Sequence, residues 1–278
     1  MSNTTESQKK GKFYGIGVGP GGQGLITTRA AKLLGQCRLI ICPRASRSAT
    51  SLAKDCIADL EIPEERFQTV DFSMDEDRQQ AEDTYKALAL KIREALESGK
   101  DVAYLTIGDA LTYSTYGYLL SALADLDPTI GVETIPGVTS FASLAALTQY
   151  PLGQGKERLL ILPCPDSKEE LRREIETHDL VILMKIGHRL PLVLAVIKEL
   201  GIGEHCVLGS KVGLPEQFLA NLAEGLDTPE KGYLSTMLIR KSAPSSKWPG
   251  APKNNTMKEE EVQRSNWSRQ NEEKKRSF

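Results

Sequence analysis

Three apolar runs in the first half of this chain stop at a glycine turn and hand over to helical periodicity, and that handover limits the fold more than any other feature. Lys12-Phe13-Tyr14-Gly15-Ile16-Gly17-Val18 breaks into Gly19-Pro20-Gly21-Gly22 ahead of a helix from about Thr27 to Gly35. Val102-Ala103-Tyr104-Leu105-Thr106-Ile107 stops at Gly108-Asp109, and beyond Tyr113-Ser114-Thr115 a helix covers Tyr118–Ala124. Val132-Glu133-Thr134-Ile135 ends in Pro136-Gly137-Val138-Thr139-Ser140, where a small-residue helix, Phe141–Leu147, begins with Thr139 or Ser140 as its N-cap. Strands alternating with helices predict a parallel, helix-flanked sheet. Ligands of such sheets bind just beyond the carboxyl ends of the strands, and glycine there admits close backbone approach. Asp109 stands at the mouth of that crevice.

Other segments extend the pattern. Leu39-Ile40-Ile41-Cys42 reads as a strand that stops at Pro43 and enters the basic, hydroxyl-rich loop Arg44-Ala45-Ser46-Arg47-Ser48. Ser51–Leu60 reads as a helix and Phe67-Gln68-Thr69-Val70 as a short strand. From Asp75 to Ser98 runs the clearest helix, with Ala81, Tyr85, Leu88, Ile92 and Leu96 on one stripe and Gly99 closing it. Gln149–Lys156, with Pro151, Gly153 and Gly155, is the natural linker.

A second sheet is expected after it. Strand Leu159–Pro163, helix Ser167–Glu176 and strand Leu180–Met184 lead into Lys185-Ile186-Gly187-His188-Arg189. Helix Pro191–Leu200, strand Cys206–Leu208, a Gly-rich break, a helical stretch near Glu216–Leu222 and strand Tyr233–Arg240 complete it. The expected organisation is a flexible leader over 1–11, an N-terminal α/β domain over 12–148, a linker over 149–157, a C-terminal α/β domain over 158–242, and a disordered tail over 243–278, where aliphatics give way to Lys, Glu, Asn and Ser. No internal repeat is visible.

Composition excludes several classes. Thirty-five basic against 37 acidic side chains leave a net charge of −2, which advertises neither nucleic acid nor an anionic membrane. The leader lacks the apolar core of a signal peptide and no run approaches the ~20 residues of a membrane helix, so a cytoplasmic protein is expected. Five cysteines without a Cys-x-x-Cys pair, and three scattered histidines, fit buried thiols rather than disulfides or a protein metal site. Gly17, Gly19 and Gly22 meet a dinucleotide spacing, but Pro20 inside the turn removes an amide that a pyrophosphate would use. No Gly-Lys-Ser/Thr follows, which rules out a Walker loop.

Four motifs in order, Gly17-Val18-Gly19-Pro20-Gly21, Gly108-Asp109 with Tyr113-Ser114-Thr115, Pro136-Gly137-Val138-Thr139-Ser140-Phe141, and Leu183-Met184-Lys185-Ile186-Gly187, resemble those of the tetrapyrrole methyltransferases. Tyr-Ser-Thr after Gly-Asp and the Leu-Met-Lys-Ile-Gly run are similar to the branch that methylates C-20 of precorrin-2 or cobalt-factor II in cobalamin biosynthesis. The resemblance spans about Lys12 to Lys241.

It implies two α/β domains, each a mixed or parallel sheet flanked by helices, with S-adenosylmethionine in the cleft between them, and a homodimer. Carried over residue by residue, cofactor contacts fall on Pro20, Ile107, Gly108, Asp109, Thr112, Thr139, Ser140, Met184 and Gly213. Methyl transfer to an electron-rich meso carbon requires no nucleophilic side chain, and Asp109 or Tyr113 is the candidate to take the proton that carbon releases. Arg44, Arg47, Lys185 and Arg189 are candidate cations for the acetate and propionate arms of the substrate. This chain departs from the family in Gly22-Gln23, where Asp-Pro is usual, and in Ala110, where proline is usual; both changes bear on cofactor affinity more than on fold. A same-fold methyltransferase acting on another acceptor, and a cofactor-binding member without turnover, stand as alternatives.

Overall fold

The computed structural model describes residues 10–22, 24–46, 48–72, 78–224 and 229–243. They fall into two compact units divided between Ser140 and Phe141.

The first unit holds strands β1 (Phe13–Gly17), β2 (Leu39–Ala45), β3 (Phe67–Phe72), β4 (Val102–Thr106) and β5 (Val132–Ile135), with helices α1 (Thr28–Gln36), α2 (Leu52–Asp55), α3 (Arg78–Glu97) and α4 (Tyr116–Leu126). All five strands pair in parallel in the order β3-β2-β4-β1-β5. Side chains alternate across a strand, so β1 and β4 supply two cores. Tyr14, Ile16, Ala103 and Leu105 pack with Ala30 and Leu34 of α1. Phe13, Val102 and Tyr104 pack with Tyr85, Leu88 and Ile92 of α3 and with Tyr116 and Leu119 of α4. Every residue of β1 and β4 is buried, as continuous apolar runs in a two-sided sheet require.

Two expectations for this unit change. β2 runs through Pro43 to Ala45, because β4 pairs with it only as far as Ile41 and the missing N–H at Pro43 costs no bond on that side. The segment read as one helix over Ser51–Leu60 is α2 followed by a separate 3-10 turn, Ala58–Leu60, short pieces that rely on packing rather than on helical cooperativity.

The second unit opens with α5 (Ser140–Leu147) at the boundary, then β6 (Leu159–Pro163), α6 (Lys168–Thr177), β7 (Leu180–Met184), α7 (Leu190–Leu200), β8 (Cys206–Ser210), β9 (Phe218–Asn221) and β10 (Ser235–Arg240). The sheet order is β6-β7-β10-β8-β9, parallel only between β6 and β7. Leu144, Ala145 and Tyr150 share a core with Leu180, Ile182, Val207 and Leu238. The compact division therefore precedes α5, whereas the sequence placed a linker after it: the apolar face of α5 is part of the second unit's core. The stretch near Glu216–Leu222, expected to be helical, is the edge strand β9, held by antiparallel pairing to β8. Arg240 is 2% exposed and forks onto Glu157 at 2.8 and 2.9 Å, with a further bond to the Pro151 carbonyl at 2.9 Å.

All five cysteines are free thiols. Among the described residues no helix is long and apolar enough to cross a membrane, and no group of three or more His, Cys, Asp and Glu could hold a metal ion. The expectations for the start of the leader, 1–9, for Gln23 and Arg47, for the first turn of the Asp75–Ser98 helix and for the tail from 244 lie outside the described residues.

Candidate functional site

At the carboxyl edge of the first sheet, the loops after β1, β4 and β5 meet through backbone alone. Gly19 N donates to Gly108 O at 3.1 Å and Gly108 N donates to Gly19 O at 2.6 Å, a two-bond bridge between the loops after β1 and β4. A Cβ on Gly17 would lie 2.6 Å from Gly137 N and 2.8 Å from Gly108 O, and one on Gly137 would overlap the Gly108 carbonyl outright. Glycines at the ends of three strands thus form a clasp with no room for a side chain at Gly17 or Gly137. The sequence reading placed Gly17 and Gly137 inside motifs but gave neither a role; a glycine closing each of three strands was the available signal.

Asp109 locks the clasp. Its Oδ1 accepts from Gly137 N at 3.1 Å, while Oδ2 accepts from Leu111 N at 3.0 Å and from the Thr112 hydroxyl at 2.9 Å. Burial alone would raise its pKa, but the Gly137 amide, the Thr112 hydroxyl and the Leu111 amide together hold it below the ordinary carboxylate value. A carboxylate so placed joins the β4 loop to the β5 loop and is a poor proton acceptor. Thr112 acts through Asp109. Tyr113 lies beside them, 38% exposed, with left-handed backbone at φ 52°. Ser114 Oγ accepts from Tyr116 N at 3.0 Å and so starts α4.

Pro20 is buried in the β1 loop, Ile107 is half-buried above β4, and Thr139 and Ser140 stand where the β5 loop passes into α5. At Gly108, with φ 73°, a Cβ would meet nothing closer than Val138 O at 3.9 Å. The backbone is open on that side, a cradle that suits the flat, partly apolar adenosyl group of the cofactor implied by the motifs.

In the second unit Met184 ends β7, packed against the Leu180–Leu238 core, and Gly213 follows β8 in a turn where its N–H donates to Gln217 Oε1 at 2.9 Å. Antiparallel β10 lies between β7 and β8, so both residues occur at one edge of the second sheet. The candidate substrate cations divide. Arg44 forks onto Asp71 at 2.7 and 3.0 Å and also reaches the Ala49 carbonyl at 3.3 Å. Arg189 pairs with Asp166. Both guanidiniums already hold carboxylates of this chain, whereas Lys185 is exposed with no partner among the described residues.

The family model for tetrapyrrole (corrin/porphyrin) methylases matches residues 12–225. A cobalt-precorrin-2 C(20)-methyltransferase of Salmonella typhimurium is 32% identical over 232 residues, 83% of this chain and 97% of that protein. A precorrin-2 C(20)-methyltransferase of Sinorhizobium sp is 30% identical over 240 residues, 82% of this chain and 95% of the relative. Among solved structures, the methyltransferase CobJ superposes with a TM-score of 0.61 at 18% identity, covering 87% of this chain and 99% of that one. The uroporphyrin-III C-methyl transferase of Thermus thermophilus, complexed with S-adenyl homocysteine, superposes with a TM-score of 0.55 at 20% identity, covering 83% and 98%; these two likenesses concern the fold. With the family match spanning both units, and with its glycine motifs converging on one sheet edge, the chain belongs to the tetrapyrrole (corrin/porphyrin) methylases.

Proposed function

We propose that this protein transfers the methyl group of S-adenosylmethionine to C-20 of precorrin-2 or of its cobalt complex, in cobalamin biosynthesis. The observation that carries the reading is that two relatives named for this reaction align over nearly their whole length. Support from the site is the clasp of Gly17, Gly108 and Gly137, whose one open side fits an adenosyl group.

S-adenosylmethionine supplies an activated methyl on a sulfonium, so transfer breaks a carbon–sulfur bond, forms a carbon–carbon bond at the meso position and releases S-adenosylhomocysteine. The residues of this chain bind and align. Ile107 and Gly108 offer an apolar wall and an open backbone edge, Asp109 and Thr112 hold that edge against the β5 loop, and Pro20 stiffens the β1 loop. Met184 and Gly213 are the second unit's proposed contributions to cofactor binding. Proximity of the two carbons then does most of the catalytic work, since both reactants are already activated. The proton left on the methylated carbon goes to solvent or to Tyr113, Asp109 being saturated by its three donors. The working protein is proposed to be a cytoplasmic homodimer, which sedimentation at several concentrations checks.

Calorimetric titration with S-adenosylhomocysteine, alongside anaerobic assays on precorrin-2 and cobalt-factor II, tests the reading. Micromolar binding and a methylated product from either tetrapyrrole support it. Tight binding without product from either substrate would point to another acceptor or to a member without turnover; absence of binding would remove the reading.

A further inference from the structure

We propose that one edge of the second sheet, formed by Lys185, Lys211 and Lys231 around Tyr233 and Leu234, is a shelf that holds the carboxylate arms and apolar ring of the tetrapyrrole. The inference rests on the reading above for the identity of the ligand.

Three neighbouring strand ends share an uncommon backbone state. Lys185 directly after β7, Lys211 directly after β8 and Leu234 directly before β10 have φ of 53°, 49° and 49°. None is Gly, Asn or Asp, so each holds a backbone state that L side chains rarely adopt. The surroundings enforce the conformation: Lys211 N donates to Leu234 O at 3.0 Å, Ser210 Oγ donates to Tyr233 O at 3.0 Å, and Ser235 Oγ donates to Lys231 O. β7 and β8 flank β10, which sets Lys185 and Lys211 two strand spacings apart, about 10 Å. Lys231 extends the row, its ammonium 5.2 Å from the ring centroid of Phe218, which opens β9 opposite Ser210.

At the central of the three strands, Tyr233 and Leu234 directly precede β10 and are 51% and 36% exposed. Of the three lysines only Lys211 has an acidic partner among the described residues, Glu216. An apolar shelf edged by separated cations complements a flat hydrophobic ligand carrying peripheral carboxylates. A phosphate polymer would match the lysines but would leave Tyr233 and Leu234 without work. Arg44 and Arg189 hold Asp71 and Asp166, and Lys211 would have to exchange Glu216 for a ligand carboxylate, whereas Lys185 and Lys231 have no acidic partner among the described residues.

The test is anaerobic absorbance titration of the full chain with cobalt-factor II and with precorrin-2, without methyl donor, beside calorimetric titration with S-adenosylhomocysteine. The variants are Lys185→Ala with Lys211→Ala, and Lys185→Arg with Lys211→Arg. Alanine keeps the left-handed backbone as accessible as lysine does, and thermal melting checks the fold of each variant. The expected result is tetrapyrrole affinity weakened about tenfold by the alanine pair, as two partly exposed charge contacts supply. The loss should shrink in about 0.5 M salt, arginine should restore most of it, and S-adenosylhomocysteine affinity should stay within about twofold of the parent. Unchanged tetrapyrrole affinity in the alanine pair overturns the shelf. A parallel fall in S-adenosylhomocysteine affinity also overturns it, by assigning the lysines to the cofactor. Wild-type protein that binds S-adenosylhomocysteine but neither cobalt-factor II nor precorrin-2 removes the shelf together with the tetrapyrrole acceptor and leaves cofactor binding standing. Wild-type protein that binds none of the three removes the proposed function whole; only the results from the alanine pair, above all an unchanged tetrapyrrole affinity, overturn the shelf by itself.

Discussion

Replacing Asp109 with Asn separates a loop tie from a proton acceptor. The carboxylate presents two acceptor oxygens to three donors, Gly137 N on one side and Leu111 N with the Thr112 hydroxyl on the other. Asparagine keeps the shape but has one acceptor oxygen and an amide that only donates. In either amide orientation its NH2 meets at least one backbone N–H, Gly137 or Leu111, and leaves it unsatisfied. An unsatisfied donor in a half-buried site costs about 1–3 kcal/mol, and loss of the charge weakens the bonds that remain. We therefore expect Asp109→Asn to destabilise the protein by about 2 kcal/mol, a fall of several degrees in the first thermal transition. S-adenosylhomocysteine affinity should drop by about tenfold or more as the β5 loop releases Gly108. The folded-state pKa is depressed, so the tie is intact above the ordinary carboxylate value and is lost as pH falls through the lower folded value. Wild-type affinity should accordingly be flat from about pH 6 to 9 as far as this group is concerned. The assays are denaturant unfolding and calorimetry on Asn and Ala variants. An Asn variant with parental stability and affinity, but a lowered rate whose acid limb has vanished, would refute the reasoning and make Asp109 the proton acceptor.

Gly137→Ala must displace the Gly108 carbonyl, so it should cost about 3 kcal/mol or abolish folding, whereas Gly35→Ala, on the open face of α1, should add about 0.5–1 kcal/mol; paired melting curves check both. Arg240→Met strands Glu157 beside Tyr150 and should cost about 2–4 kcal/mol at neutral pH. Glu157 is held below the ordinary glutamate value by Arg240, so this cost should fade as pH drops through that lowered value, read from denaturation midpoints across pH. Thr106→Val removes a buried hydroxyl without a hydrogen-bond partner and should leave stability unchanged or raise it by about 1 kcal/mol; a loss of that size would reveal a partner for the hydroxyl.

Much of the architecture is legible in the sequence because its signals are local. β4 and β7 are unbroken apolar runs, Ser167 caps α6 by accepting from Glu170 N, and Gly201 closes α7 with φ 66°. β9 was not legible: leucines at 219 and 222 mimic helical spacing, and only hydrogen bonding to β8 fixes the segment as a strand. The fate of the arginines was equally hidden. Asp71 lies 27 residues from Arg44, and Asp166 lies 23 residues from Arg189, distances across which a single sequence carries no pairing signal. For the same reason Asp109 is conspicuous in the sequence as a site residue, while the amide it holds, at Gly137, becomes visible only once the strands are side by side.

The pairing of β1 dictates when the first unit can take shape. This strand is synthesised before the unit's other four, yet its two neighbours in the sheet are β4, with Phe13 opposite Val102, and β5, with Phe13 opposite Val132. Until β4 has been synthesised this fully buried strand has nothing to pair with, and β2 and β3, which can already join each other, expose the edge that β4 will cover. Closing so long a loop is slow, and an uncovered apolar edge is sticky meanwhile. The second unit starts with neighbours close in the chain, β6 beside β7. Translation speed through the α3–β4 segment, more than the stability of the finished sheet, should therefore govern how much of the newly made protein reaches its native state.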